Sequence, residues 1–127
     1  MKKTLQIVTS AYRCNIEEQD DPVVWICQAM KGAGADLHVL LDGPAVDYAA
    51  RGQDASGLSF GGKVQTQPPR FEEDFKRLVS KGAEVYAVED DVAARGLERA
   101  DLIEGIRGVS RSELPKFFAG YDRIWRW

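Results

Sequence analysis

The sequence contains few of the residues that carry metal or redox chemistry. Among its 127 residues there is one histidine, and there are two cysteines, Cys14 and Cys27. The cysteines form neither a CxxC pair nor half of a zinc set, and a reducing compartment would keep both as thiols. We therefore expect no structural disulfide and no resident cofactor.

Long apolar runs and an excess of positive charge are also missing. The N-terminal stretch Leu5–Val8 is too short for a signal peptide and far too short for a membrane span. The net charge is −3, and the basic side chains are scattered among acidic ones, which leaves no basic stripe for a phosphate backbone. The sequence therefore predicts a cytoplasmic protein with neither a membrane nor a nucleic-acid partner.

The remaining composition is typical of one compact domain. The chain is 44% hydrophobic and 29% charged, which suits a single domain over residues 1–127 with a sizeable core. Apolar runs of strand length alternate with amphipathic helical stretches, a pattern that predicts an α/β fold with a parallel sheet covered on both faces. The five predicted strands are Leu5–Ser10, Asp36–Leu41, Glu84–Val88, Arg107–Val109 and Asp122–Arg126.

Capping residues and apolar spacing predict the main helices. The first follows a cap at Asp20 or Asp21 and ends in the Gly32–Gly34 region. The last begins with either Ser110 or Ser112 as its cap. The other predicted extents are Pro44–Arg51, Phe71 to Gly82, and, for the last helix, Ser112 to Gly120.

Three acidic residues lie where an α/β protein usually binds its ligands. The strand Glu84–Val88 runs straight into Glu89, Asp90 and Asp91, the acidic run, and a helix is predicted from Val92. Ligands of open α/β sheets bind outside the carboxyl ends of the strands, and Asp42 follows the preceding strand in the same way. The run predicts either solvated helix capping or a site for a divalent cation or small anion, with help from Asp42 or from Asp20 and Asp21.

The segment from Gly52 to Pro69 contains two short motifs that lack their usual context. Gly57–Gly61 matches G-x-S-x-G, but the only histidine, His38, precedes it instead of following it. Gly57 to Lys63 matches most of a phosphate loop, yet Val64 stands where the metal-binding Ser or Thr belongs. We interpret these glycines as features of a long loop.

A family resemblance is carried by the order and spacing of several short motifs. They are Leu41-Asp42-Gly43 with Val46 beyond it, Ala94-Arg95-Gly96-Leu97 after a strand, and the run Asp101–Ile106 before a short strand, a helix and a final strand. Over almost the whole chain these parts resemble the DsrE/DsrF-like family. The resemblance implies a three-layer α/β/α Rossmann-like domain with a mainly parallel five-stranded sheet. It also implies homo-oligomers, as trimers or hexamers, and sulfur carried as a cysteine persulfide between sulfur-carrier partner proteins.

The reactive cysteine that the resemblance implies is missing. It is expected between the third strand and the pair Arg95-Gly96, where this chain has Val88–Val92. By spacing, Asp91 takes its place. A cysteine at a helix start becomes a thiolate nucleophile, whereas an aspartate there is already an anion and cannot accept sulfane sulfur.

Cys14 is the remaining candidate for sulfur chemistry. It follows the first strand in Tyr12-Arg13-Cys14-Asn15 and is expected at the same edge of the sheet as the acidic run. Arg13 and Arg95 would stabilise anionic sulfur there, with Asn15 as a further binding residue. Cys27 falls on the apolar face of the first helix, so we expect it in the core.

Two functions remain open at this point. One is a sulfurtransferase-like protein in which Cys14 carries or relays persulfide. The other is a noncatalytic, oligomeric binding or assembly subunit in which the acidic run has replaced the cysteine. We expect Trp125 and Trp127, on one side of the last strand, in the core or at a subunit contact, and His38 packed or at such a contact.

Overall fold

A parallel five-stranded sheet forms the centre of the protein. The computed structural model describes residues 2–12, 21–54 and 57–127. The order in the sheet is β6-β5-β2-β1-β7, and every neighbouring pair is parallel. A separate antiparallel hairpin consists of β3 and β4. The strands are β1 Thr4–Val8, β2 Leu37–Leu41, β3 Ser59–Phe60, β4 Lys63–Val64, β5 Val85–Val88, β6 Arg107–Val109 and β7 Arg123–Arg126.

The helices follow the strands in the alternation that the sequence predicts. The α-helices are α1 Pro22–Gly32, α2 Phe71–Ser80, α3 Glu89–Ala94 and α4 Leu114–Phe118, and 3-10 helices span Gly43–Ala49, Arg99–Asp101 and Arg111–Glu113. The predicted three-layer, Rossmann-like fold is therefore confirmed. No helix within the described ranges is long and apolar enough to cross a membrane.

Asp21 caps α1 and is fully buried. Its Oδ1 accepts hydrogen bonds from the backbone N–H groups of Val23 and Val24 at 2.8 and 3.2 Å, and Tyr48 donates its hydroxyl to Oδ2. These bonds satisfy the N–H groups that a helix start leaves without partners. Asp21 is therefore a structural cap, and Asp20 lies outside the described residues.

Three predicted helix boundaries were wrong. The segment predicted as Pro44–Arg51 is a 3-10 helix that ends at Ala49, because Ala50 is extended and forms a bridge to Leu102. The last helix has no serine cap, since a 3-10 turn precedes α4 and the hydroxyls of Ser110 and Ser112 lie 3.1 Å apart instead. The helix after β5 starts at Glu89, not at Val92.

The two faces of the sheet carry cores of different size. The larger core joins the sheet to α1, α2, α3 and the first 3-10 helix, and it contains Cys27 at 1% exposure. The smaller core joins the opposite face to α4. Burial raises the pKa of the Cys27 thiol to about 12, with a further contribution from Asp21. The expected packing of Cys27 is confirmed.

His38 packs against Tyr121, which follows α4. It is 7% exposed, and its Nδ1 lies 2.9 Å from the hydroxyl of Tyr121. Burial lowers the pKa of this imidazole although Glu84, 3.5 Å away, opposes that change. The residue is therefore part of the packing of the smaller core.

The long loop folds back as the hairpin of β3 and β4. Gly61 and Gly62 both have positive φ angles, 55° and 78°, as a two-residue hairpin turn requires. Ser59, the serine of the G-x-S-x-G match, lies on a hairpin strand that is followed by β4 instead of a helix. The structure thus accounts for these glycines by turn geometry.

Candidate functional site

Two acidic side chains and one basic side chain lie together at the carboxyl ends of β2, β5 and β6. Asp42 follows β2 directly, Asp91 lies in the first turn of α3, and Arg111 lies just beyond β6. The backbone N–H of Asp42 donates to the carbonyl of Val8 at 3.0 Å, which fixes the end of β2 against β1. We call Asp42, Asp91 and Arg111 the carboxyl-edge cluster.

The Asp91 carboxylate is bonded at both oxygens. Its Oδ2 accepts the backbone N–H of Gly43 at 2.8 Å, and its Oδ1 accepts the Arg111 guanidinium. Gly43 has a φ of +57°, a conformation that favours glycine, and its N–H points to Asp91 in α3. Asp91 therefore links the carboxyl ends of β2, β5 and β6.

The two carboxyl groups of the cluster interact with each other and differ in acidity. Burial raises the pKa of Asp42, and so do the hydrogen bond and the negative charge of Asp91. Burial acts in the same direction on Asp91, but the Gly43 N–H and Arg111 outweigh it and hold the pKa of Asp91 below its usual value. As the pH falls, Asp42 is therefore protonated before Asp91, and Asp91 remains the anion of the pair.

The acidic run does not act as one unit. Asp90 accepts the backbone N–H of Arg111 at 2.7 Å, which anchors the turn after β6. The Glu89 side chain lies across the edge of the sheet, because a Cβ placed on Gly108 would be 2.3 Å from its Oε1. The side chain that bonds to Asp42 is that of Asp91.

The cluster contains too few ligands to indicate a metal centre. No group of three or more His, Cys, Asp or Glu residues able to hold a metal ion occurs in the described part of the chain. Arg111 lies 3.7 Å from Asp42 and in direct contact with Asp91, so it supplies the positive charge that a cation would bring. The charges favour an internal ion-pair network.

Arg95 lies on the other flank of the same edge. Its guanidinium pairs with Asp47 at 3.0 Å, and among the described residues it forms no ion pair with Glu89, Asp91 or Glu98. Tyr12 lies beside this pair: burial raises the pKa of its hydroxyl, and Asp47 adds to the effect. Tyr12 also donates to Gln53, which fixes the chain just after β1.

The predicted thiol site cannot be placed on this geometry. Arg13, Cys14 and Asn15 lie outside the described residues. Tyr12, the last residue before them, lies beside the Arg95–Asp47 pair. The proposed roles of these three residues stay predictions.

Sequence reasoning did not identify Arg111 or Gly43 as parts of the site. A signal for Arg111 was present, because it comes two residues after the predicted strand Arg107–Val109 and so near the carboxyl edge. The role of Gly43 depends on its N–H direction, which no motif in the sequence specifies.

Comparison with known proteins supports the fold. No protein-family model matches the chain, and no curated protein matches its sequence. Among solved structures, the YchN protein from E. coli superposes over 100% of both chains with a TM-score of 0.77 at 19% identity. MTH1491, a protein of unknown function from Methanobacterium thermoautotrophicum, covers 99% of both chains with a TM-score of 0.63 at 15% identity. This likeness supports the three-layer, Rossmann-like α/β fold over the whole length of the chain.

Proposed function

We propose that this protein is an atypical DsrE/DsrF-like protein of sulfur metabolism that acts as a noncatalytic binding or assembly subunit. The observation that carries the proposal is the bonding of Asp91, which occupies the position expected for the reactive cysteine. Its carboxylate accepts hydrogen bonds from the Gly43 N–H and from Arg111. A carboxylate does not accept sulfane sulfur as a thiolate does. A nucleophile has been replaced by a structural anion.

Homo-oligomer formation, as a trimer or hexamer, is part of the proposal. The edge strand β7 and the residue that follows it support this, because Ile124, Trp125 and Trp127 are 44%, 54% and 43% exposed. Exposed apolar side chains concentrated on one edge favour a protein contact. Light scattering of the purified protein should give the mass of a trimer or hexamer, and a monomer at micromolar concentration would count against an assembly role.

The second candidate function is a persulfide carrier that uses Cys14. It is favoured by one observation: Cys27 is in the core with a pKa raised to about 12, so a thiol reaction would fall to Cys14. Arg13, Arg95 and a sulfur-carrier protein partner belong to this alternative.

Intact mass spectrometry after incubation with a persulfide donor separates the two candidates. The wild type, Cys14→Ser and Cys27→Ala should all show no stable added sulfur if the protein is noncatalytic. Added sulfur that is retained in Cys27→Ala and lost in Cys14→Ser would instead assign the carrier role to Cys14.

A further inference from the structure

A cavity of about 310 Å³ lies beside the edge strand β6, on the face of the sheet that α3 covers. Its floor is made by Ala87 and Gly108, which are direct neighbours in the register of β5 and β6. These two small residues leave a recess that larger side chains would fill. The apolar walls are Val92, Ala93, Leu97 and Leu102. We call this recess the edge cavity.

Two opposite charges line the edge cavity. Glu89 and Arg99 both face it, and neither forms a hydrogen bond or ion pair through its side chain in the described part of the chain. No ion pair within 4.0 Å joins these two described residues to each other. Both residues are exposed, so each charge is available to a ligand in the cavity.

Gly108 is the residue that allows Glu89 to lie over the cavity floor. A Cβ at this position would come within 2.3 Å of Glu89 Oε1 and 2.8 Å of its Cγ. The backbone of Gly108 has no positive φ, so conformational freedom does not explain the glycine. Its contribution is the space that the carboxylate occupies.

We propose that the edge cavity binds a small zwitterion with an apolar side chain, such as an aliphatic α-amino acid. The ammonium group pairs with Glu89, the carboxylate pairs with Arg99, and the side chain fills the recess between Ala87 and Leu102. Sites for small ligands combine apolar walls with a few placed polar groups, and this volume is at the lower end of their range. The inference is independent of Cys14 and of the carboxyl-edge cluster.

The first test uses L-leucine and two of its analogues with the wild-type protein, measured by calorimetry or ligand-observed NMR. Leucine should bind with a Kd of about 1 mM or tighter, as ordinary ligand efficiencies give for a molecule of this size. 4-Methylpentanoate lacks the ammonium group and isopentylamine lacks the carboxylate, so each should bind about tenfold more weakly. Absence of leucine binding, or equal binding of either analogue, would overturn the proposal.

The second test assigns the site by substitution. Glu89→Gln and Arg99→Met should each weaken leucine binding about tenfold, and Gly108→Ala should weaken it by displacing Glu89. Glu104→Gln and Lys116→Met remove one exposed charge of each sign elsewhere and should leave binding unchanged. Equal affinity in all five variants would contradict the assignment, and circular dichroism shows that each variant is folded.

Discussion

Asp91 and Glu89 are two residues apart in the acidic run, yet they lie in opposite surroundings. The carboxylate of Asp91 has a backbone donor and a guanidinium, whereas that of Glu89 lies over Gly108 with no partner among the described residues. The charged groups of the carboxyl-edge cluster are paired with one another. The charged groups of the edge cavity, Glu89 and Arg99, have no partner among the described residues. Because α3 begins at Glu89, the side chains of Glu89 and Asp91 point to different sites although they are two residues apart.

The largest expected effect is on thiol reactivity. In a Cys14→Ser/Asp91→Cys variant, the Gly43 N–H and Arg111 would stabilise a thiolate, which lowers the pKa of the introduced thiol below its usual value of about 8.5. Cys27, with a pKa of about 12, serves as the internal reference. At neutral pH, a colorimetric thiol reagent should modify the introduced thiol in seconds to minutes while Cys27 stays unmodified. An introduced thiol that reacts no faster than free cysteine would show that the cluster does not stabilise anions.

The second effect is on stability. Asp91→Ala leaves the part-buried Gly43 N–H and Arg111 without their acceptor, which should cost about 2 kcal/mol of the free energy of unfolding. Glu89→Ala removes a carboxylate with no partner among the described residues, so the change should stay within about 0.5 kcal/mol. Urea unfolding at pH 7 measures both. Equal losses in the two variants would remove the contrast between the sites.

The smallest effect concerns Asp42 and depends on pH. Because its pKa is raised in the folded protein, its stabilising contribution belongs to the protonated form and is lost as pH rises through the folded pKa. Asp42→Asn should therefore be more stable than the wild type at pH 7, by about 0.5 kcal/mol, with the gain vanishing toward pH 4. The pH dependence of stability has the opposite sign for Asp91. Because its pKa is lowered in the folded protein, it stabilises the protein at neutral pH, and this contribution is lost as pH falls through the folded pKa. Urea unfolding of Asp42→Asn between pH 7 and pH 4, and of Asp91→Asn from pH 7 down to about pH 2, checks the two signs. Parallel pH profiles of the two variants would contradict them.

The sheet, the buried Cys27 and the meeting of Asp42 with Asp91 could be predicted from the sequence. Buried strands are recognisable by their apolar runs, and parallel strands place their exits at one edge, so residues just after them meet. The directions in which the side chains of the acidic run point could not be predicted, because they depend on the residue at which α3 starts. Successive residues of a helix point about 100° apart, so beginning at Glu89 rather than Val92 sends Glu89 and Asp91 to different sites. The contact of Gly43 depends on the direction of its backbone N–H, which no motif encodes. The position of Arg111, just after a predicted strand, does indicate the carboxyl edge.

We propose that Asp91 has replaced a sulfur nucleophile at an anion-stabilising position of the carboxyl edge. Intact mass after incubation with a persulfide donor tests it most directly, with the wild type and the Cys14→Ser/Asp91→Cys variant side by side. We expect no added sulfur on the wild type and one added sulfur atom on the introduced thiol of the variant. Sulfur on the wild type that disappears in Cys14→Ser, with none on the introduced thiol of the double variant, would contradict it.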